Sequence, residues 1–172
     1  MDKRTFLHCM AAGAVGLNAM PVMAELQKAG GKQTLSGVDG AGKPLSLENY
    51  SNRVCLVSFF TAGCSLCTKD LKLMREFYVN NVSKKKFSLL GVNIDETKDD
   101  FEQYMHLVNL SVPAEQRFPI IWRNAPGHQD SFGTIVKKPT HFVLDKDHRQ
   151  VMRREGAFLP GDWDDLWTLL GN

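Results

Sequence analysis

The feature that most constrains the fold is an apolar run that leads directly into a pair of cysteines. Residues Val54 to Phe60 show no polar alternation and are rich in branched and aromatic side chains, a pattern typical of a strand buried on both faces. After Gly63, apolar residues recur every three or four positions, which predicts an amphipathic helix. Cys64 and Cys67 therefore lie in the first helical turn, where free N–H groups and the helix dipole favour an anion such as a thiolate.

Three interpretations of the Cys64-x-x-Cys67 spacing compete. A structural disulfide that closes so short a ring contributes only about 2 kcal/mol. A zinc site needs a second pair of ligands, and the remaining cysteines, Cys9 and Cys55, form no such pair. A redox couple needs a helix N-terminus that lowers the pKa of the leading thiol to roughly 7 or below. The flanking pattern supplies that helix start, so the spacing favours a redox couple.

The rest of the chain reads as alternating strands and helices. Thr97 followed by Asp100 resembles a capping box that opens a helix. Strand followed by helix followed by strand predicts a parallel crossover. The other expected elements are a hairpin over 34–38 and 44–47, strands over 87–94 and 118–122, a loop over 124–131, a hairpin over 140–144 and 151–155, and a final helix over 162–170.

Several of these segments together resemble one known family. The stretch 47–50, the run Val54 to Phe60, and Cys64-x-x-Cys67 with Asp70 three residues further on are similar to thioredoxin-fold thiol-disulfide oxidoreductases of the TlpA/ResA type. Segments 91–96 and 138–145 match the second strand and the cis-proline strand of the same family. The resemblance covers about residues 34–170. It implies a thioredoxin-like, three-layer α/β/α domain with a central mixed sheet, preceded here by an N-terminal β-hairpin.

The resemblance also implies roles for individual residues. Cys64 attacks a substrate disulfide, Cys67 resolves the mixed disulfide, and Glu96 accepts a proton. A cis bond before Pro139 exposes backbone groups that align the substrate chain opposite Cys64. The flanking residues Lys138 and Thr140 are then candidates for substrate binding, while Thr61 and Asp70 are candidates for supporting the cysteines. No cofactor and no metal are expected.

Three positions depart from the family pattern, and they bear on potential and substrate. Leu66 stands where proline is common, Asp70 where glutamate is frequent, and Lys138 where a small or apolar residue usually precedes the cis-proline. Family membership implies a reducing function toward protein disulfides, among them those of apocytochrome c or copper-site proteins, with electrons from a membrane donor of the DsbD/CcdA type. The formal net charge of +2 and the lack of long basic runs give no support for nucleic-acid binding.

The N-terminus predicts export. Lys3 and Arg4 precede a weakly apolar, small-residue stretch that ends in Val22-Met23-Ala24, so residues 1–24 resemble a cleavable signal peptide of the twin-arginine or the Sec type. Asn18 and Pro21 interrupt the stretch, so a membrane anchor is less expected. Residues 25–33 then form a linker and 34–172 the thioredoxin-like domain, located in the periplasm or otherwise outside the cytoplasm.

Two alternative functions stay open at this point. Thr61 three residues before Cys64 suggests a thiol peroxidase, although Val57 replaces the proline expected before that threonine. A Cu(I) carrier would use Cys64 and Cys67 with a distal histidine such as His141, because soft thiolates suit that ion. Copper carriers of this fold usually space their cysteines by three residues, whereas this chain spaces them by two.

Overall fold

The computed structural model describes residues 30–82 and 86–171, and the predicted signal peptide over 1–24 lies outside them. The described part of the chain contains eight strands and three α-helices. The strands are β1 Leu35–Val38, β2 Pro44–Ser46, β3 Val54–Phe60, β4 Phe87–Asn93, β5 Ile120–Trp122, β6 Gln129–Asp130, β7 Thr140–Leu144 and β8 Gln150–Glu155, and the helices are α1 Ser65–Val82, α2 Lys98–Ser111 and α3 Pro160–Leu169. Short 3₁₀ helices span Leu47–Tyr50 and Ala114–Gln116.

The main sheet has five strands in the order β5-β4-β3-β7-β8. Strands β3, β4 and β5 are parallel, whereas β7 pairs antiparallel with both β3 and β8, so the sheet is mixed. Every residue of β3, β4 and β7 is buried, and burial on both faces explains the continuous apolar run of β3. The predicted thioredoxin-like α/β fold with a central mixed sheet is confirmed.

All three α-helices contribute to the core on one face of the sheet. Alternate residues of β3, such as Leu56 and Phe60, point to this face and pack with Met74 of α1, Phe101 of α2 and Leu166 of α3. The shared face has a topological reason, because the crossovers from β3 to β4 and from β4 to β5 step in the same direction and right-handed crossovers then place both helices on one side. None of the described helices is long and apolar enough to span a membrane.

The opposite face is covered by short elements. The buried cluster there joins Phe59, Phe142 and Phe132 to residues of the N-terminal hairpin and of the 3₁₀ helix over Leu47–Tyr50. The predicted hairpin is confirmed, and β1 also pairs with β6, which lies inside the segment expected to be a loop. A strand of two residues is too short to produce a periodic pattern, so only its pairing with β1 reveals it.

The described end of the predicted linker contacts the domain. The backbone N–H of Gly30 donates to the Gln150 carbonyl at 2.9 Å, and that of Gln33 donates to the His148 carbonyl at 2.8 Å. Lys32 forms an isolated bridge with Arg149. Residues 30–33 therefore lie along the turn between β7 and β8 rather than projecting away from it.

A buried charge cluster ties β6 to the main sheet. Arg123 donates two hydrogen bonds to the Asp130 carboxylate, each 2.8 Å long, and His128 Nε2 lies 2.8 Å from Asp130 Oδ2. Burial by itself raises the pKa of Asp130, but hydrogen bonds from His128, Arg123 and the Phe132 N–H, together with the Arg123 charge, lower it to about 2. The cluster therefore holds a carboxylate that stays ionised far into the acid range.

Asp130 should make the fold sensitive to acid. Its pKa falls on folding from 3.8 to about 2, so its contribution is fully present above about pH 4 and is lost as pH falls through the folded value. The shift corresponds to about 2 kcal/mol of unfolding free energy. Urea titrations at several pH values should show a shallower acid dependence for Asp130→Asn than for the wild type, and equal slopes for the two proteins would refute this account.

Candidate functional site

Cys64 caps helix α1 with its sulfur. The Cys64 carbonyl accepts the backbone N–H of Thr68 at 3.1 Å, and the Cys64 sulfur accepts the N–H of Cys67 at 3.1 Å. Serine and aspartate side chains commonly occupy this capping position, which satisfies a free N–H of the first turn. A negative charge on this sulfur would face the positive end of the helix dipole.

The two cysteines differ in exposure. They are joined by a disulfide, with their Cα atoms 5.2 Å apart. Cys64 is half-buried, whereas Cys67 is fully buried in the core on the helical face of the sheet. An external disulfide can therefore approach the sulfur of Cys64 but not that of Cys67.

The loop before β7 lies beside Cys64. The Lys138–Pro139 peptide bond is cis, and the Lys138 carbonyl oxygen lies 3.9 Å from the Cys64 sulfur. The Lys138 side chain is exposed, whereas the Thr140 side chain is buried and donates to the Lys137 carbonyl at 2.7 Å. Of these residues, only Lys138 contacts Cys64 directly; Pro139 follows it through the cis bond, and the Thr140 hydroxyl is hydrogen-bonded to Lys137.

Asp95 organises the connector between β3 and α1. Its carboxylate accepts the backbone N–H of Ala62 at 3.0 Å and the side-chain amide of Asn93 at 2.6 Å. Its own carbonyl accepts Trp122 Nε1 at 2.8 Å and the Asn124 amide at 2.9 Å. Three of these contacts hold Asp95 in place, and the fourth fixes the Ala62 backbone, two residues before Cys64.

The other candidates of this region lie in different environments. Glu96, which follows Asp95, is exposed, and Thr61 is half-buried within the connector. Both Asp95 and Glu96 follow the last residue of β4, so the alternation of strand side chains does not decide which of them faces the cysteines. The carboxylate that contacts the connector is that of Asp95.

Asp70 is buried rather than displayed on the helix surface. It is 3% exposed, and its Oδ2 accepts the Phe158 N–H at 2.9 Å. The same oxygen lies 3.1 Å from Nε2 of His141, which is 1% exposed. His141, the distal ligand expected of a Cu(I) carrier, has its ring paired with Asp70. Among the described residues, no group of three or more histidine, cysteine, aspartate or glutamate side chains is arranged to hold a metal ion.

A shallow apolar groove runs beside the cysteines, with a volume of about 530 Å³. Asp70 lies in its wall, and three of its leucines expose between 38% and 47% of their surface. The lining residues are Leu66, Lys69, Asp70, Leu73, Ala157, Phe158, Leu159, Pro160 and Trp163. The groove thus offers apolar surface that reaches Leu66 in the first turn of α1.

Cys55 takes no part in this site. It is fully buried in β3 on the face opposite to the helices. Burial raises the pKa of its thiol to about 12, and the nearby Arg53 charge offsets only part of this effect. Cys55 therefore fills the core as a small apolar residue.

Sequence reasoning missed the contacts that surround the cysteines. The pairing of His141 with Asp70 joins residues 71 positions apart, and the contact of Asp95 with Ala62 spans 33 positions. The one local signal was the position of His141, two residues after Pro139 on a strand expected beside the cysteines. Nothing in the spacing of Asp70 indicated that histidine as its partner.

Comparison with known proteins gives a family. The model of the AhpC/TSA family matches residues 26–151, which is more than half of the chain. Thiol-disulfide oxidoreductase ResA of Bacillus thuringiensis subsp. konkukian is 22% identical over 118 residues, which are 69% of this chain and 64% of the relative. The matched segment thus spans less than two thirds of that relative's length.

Solved structures agree on the fold. A putative thiol:disulfide interchange protein DsbE from Chlorobium tepidum is 20% identical, with a TM-score of 0.66 over 85% of this chain and 99% of that one. StoA from Bacillus subtilis is 21% identical, with a TM-score of 0.57 over 79% of this chain and 96% of that one. The resemblance noted from the sequence is confirmed: this chain belongs to the AhpC/TSA family, as a TlpA/ResA-like member with the thioredoxin fold.

Proposed function

We propose that the protein is a thiol-disulfide oxidoreductase that uses the Cys64/Cys67 couple. The observation that carries the proposal is the position of the Cys64 sulfur, which caps α1 and lies 3.9 Å from the Lys138 carbonyl next to Pro139. The buried partner Cys67 is already in disulfide geometry with it. The names of the relatives, thiol-disulfide oxidoreductase and thiol:disulfide interchange protein, support the same activity.

The reaction follows from the different exposure of the two sulfurs. In the reduced protein, the Cys64 thiolate attacks one sulfur of a substrate disulfide, and the other substrate sulfur leaves as a thiolate. Cys67 then loses its proton and attacks the Cys64 sulfur of the mixed disulfide. This second step releases the remaining substrate thiolate and leaves the Cys64–Cys67 disulfide. Two electrons have passed from the protein to the substrate.

The proposed direction is reduction of protein disulfides outside the cytoplasm. The export-like sequence over residues 1–24 supports that location. Family resemblance adds apocytochrome c or copper-site proteins as candidate substrates and a DsbD/CcdA-type membrane protein as electron donor. Residues Lys138 and Thr140, with Pro139 between them, would align the substrate backbone beside Cys64.

The reduction potential of the Cys64/Cys67 couple tests the direction. A reductase should have a potential near the reducing end of the range for this fold, about −270 mV, rather than near the oxidising end, about −120 mV. The measurement is equilibration with glutathione buffers followed by thiol alkylation and mass spectrometry, together with the redox state of the couple in intact cells. A couple near −120 mV that is oxidised in cells would contradict a reducing role.

The acceptor of the Cys67 proton is proposed to be a carboxylate at the end of β4. Glu96 holds this role by resemblance, and Asp95 is its rival because it contacts the connector that leads to Cys64. We expect Asp95→Asn to change thiolate absorbance titrations more than Glu96→Gln does, since Glu96 is exposed. If neither variant changes the titration of a cysteine or slows resolution, no carboxylate of this segment serves the site.

A second candidate function, a thiol peroxidase, has one observation in its favour. Thr61 lies three residues before Cys64 and is half-buried in the connector. The test is whether the purified, reduced protein consumes hydrogen peroxide catalytically. Fast peroxide consumption with slow exchange against protein disulfides would favour the peroxidase, and the reverse order of rates would favour the oxidoreductase.

A further inference from the structure

A buried pair of ionisable side chains lies one helical turn from Cys67. Asp70 follows Cys67 by three residues on α1, a spacing that makes the two side chains neighbours on one helix face. Asp70 Oδ2 lies 3.1 Å from His141 Nε2, and the two side chains are 4% and 0% exposed. Buried charged groups are costly unless they are paired and hydrogen-bonded, so this pair calls for an explanation.

The second ring nitrogen of His141 makes no hydrogen bond in the described part of the chain. This atom, Nδ1, is buried. Ser58 of β3 lies directly opposite His141 of β7, so both side chains point to the same face of the sheet. The Ser58 hydroxyl is likewise buried without a partner in this part of the chain. A hydroxyl accepts as well as donates, so Ser58 can accept from Nδ1–H when the ring is charged.

The other charges near the pair are already balanced or lie at the rim. Arg154 of β8 is opposite His141 in the β7–β8 register, and it makes two hydrogen bonds of 2.8 and 2.7 Å to Asp162 of α3. Lys69 is exposed at the edge of the groove. The Phe158 N–H donates to the same Asp70 oxygen that lies beside His141 Nε2. The neighbouring group whose charge changes when the protein is reduced is therefore the Cys64/Cys67 couple, which gains one negative charge and keeps one thiol proton.

We propose that His141 is a positioning residue that acts through Asp70, and that the Asp70–His141 pair takes up a proton when the Cys64–Cys67 disulfide is reduced. This inference rests on the proposed function. The disulfide is neutral, whereas reduction places a thiolate on Cys64 and, during resolution, on Cys67. A new negative charge near a buried carboxylate is unfavourable, and a proton at His141 Nδ1 offsets it.

The number of protons taken up on reduction should differ between the wild type and a protein without His141. With two electrons, the wild-type protein takes up one proton at the Cys67 thiol and one at the pair, while Cys64 stays a thiolate. Without His141, only the Cys67 proton accompanies the two electrons. One proton fewer changes the equilibrium constant with glutathione by as much as tenfold per pH unit, which is about 30 mV per pH unit for a two-electron couple.

The experiment measures this equilibrium constant between about pH 5 and 8, where histidines change charge. We expect the wild type and His141→Gln to diverge by up to tenfold per pH unit, and Ser58→Ala to shift the profile in the same direction by a smaller amount. His106→Gln is the matched control, since His106 is an exposed histidine of α2, and its profile should follow that of the wild type. Parallel profiles for wild type and His141→Gln would overturn the inference and leave the proposed function intact.

A second measurement needs no substitution, so it holds even if a variant at this buried position fails to fold. The ring signals of His141 are followed by NMR against pH in the oxidised and the reduced wild-type protein. We expect the ring to become charged at higher pH in the reduced protein, and coincident curves would overturn the inference. A couple that does not exchange with glutathione at all would overturn the proposed function together with this inference.

Discussion

Replacing Cys67 with serine should trap substrates as mixed disulfides on Cys64, whereas Cys64→Ser should trap almost none and should reduce turnover to the uncatalysed rate. The reason is the difference in exposure, since Cys64 is half-buried at the helix start and Cys67 is fully buried. The Cys64 sulfur also faces the Cys67 N–H, which favours its thiolate form. Non-reducing electrophoresis of protein incubated with a disulfide-containing substrate, followed by mass spectrometry, measures the trapped species.

The matched control is Cys55→Ala, made in the Cys67→Ser protein for the trapping assay and in the wild type for turnover. Cys55 is a buried thiol on the opposite face of the sheet, and its pKa is raised to about 12, so its loss should leave trapping and turnover unchanged. Equal trapping by the Cys64 and Cys67 variants would refute the assignment of roles. Trapping that disappears in Cys55→Ala would show instead that the reactive sulfur is not in the Cys64-x-x-Cys67 motif.

Phe132→Ala should be among the most destabilising single substitutions, with a loss of about 3–5 kcal/mol in the free energy of unfolding. The ring is 4% exposed, and its centroid lies 5.2 Å from that of Phe59 and 4.7 Å from that of Phe142. No α-helix of the described chain contributes to this cluster, so few neighbouring groups are available to fill the cavity. Urea unfolding monitored by circular dichroism gives the free energy.

Leu110→Ala on α2 is the control for this prediction. Leu110 is 72% exposed, so its truncation should change the unfolding free energy by no more than about 0.5 kcal/mol. A similar loss in both variants would mean that Phe132 does not hold the second face of the sheet. A large loss in Phe132→Ala alone would support the packing described here.

Some features were predictable because they depend on near neighbours along the chain. The apolar run Val54 to Phe60 and the three-to-four spacing after Gly63 predicted β3 and α1, and so the cysteines at their junction. Thr97 was expected to cap a helix, and its hydroxyl does accept the Asp100 N–H at 3.1 Å. These interactions span only a few residues, so the spacing of residue types along the chain is enough to predict them.

Other features were not predictable because they join distant segments. Strand β6 exists only because Gln129 and Asp130 pair with β1. Short elements cover the second face of the sheet, and this depends on the packing of Phe132 against that face. The Arg123–Asp130 pair has ordinary surface residue types. These residues stabilise the fold because their side chains are buried or partly buried. Burial depends on how the whole chain packs, so the sequence pattern alone does not predict it.

The sequence by itself determined the redox motif, the order of the main strands and helices, and the family. A Cys-x-x-Cys pair after a fully apolar strand needs only local geometry to place a sulfur at a helix N-terminus. The tertiary structure alone decided which groups lie around the two cysteines. Asp70 became buried, His141 became its partner, and Asp95 came to hold the Ala62 backbone. Each of these contacts joins two residues that lie tens of positions apart in the sequence. Such a contact forms only when strands and helices pack together, so no local sequence pattern predicts it.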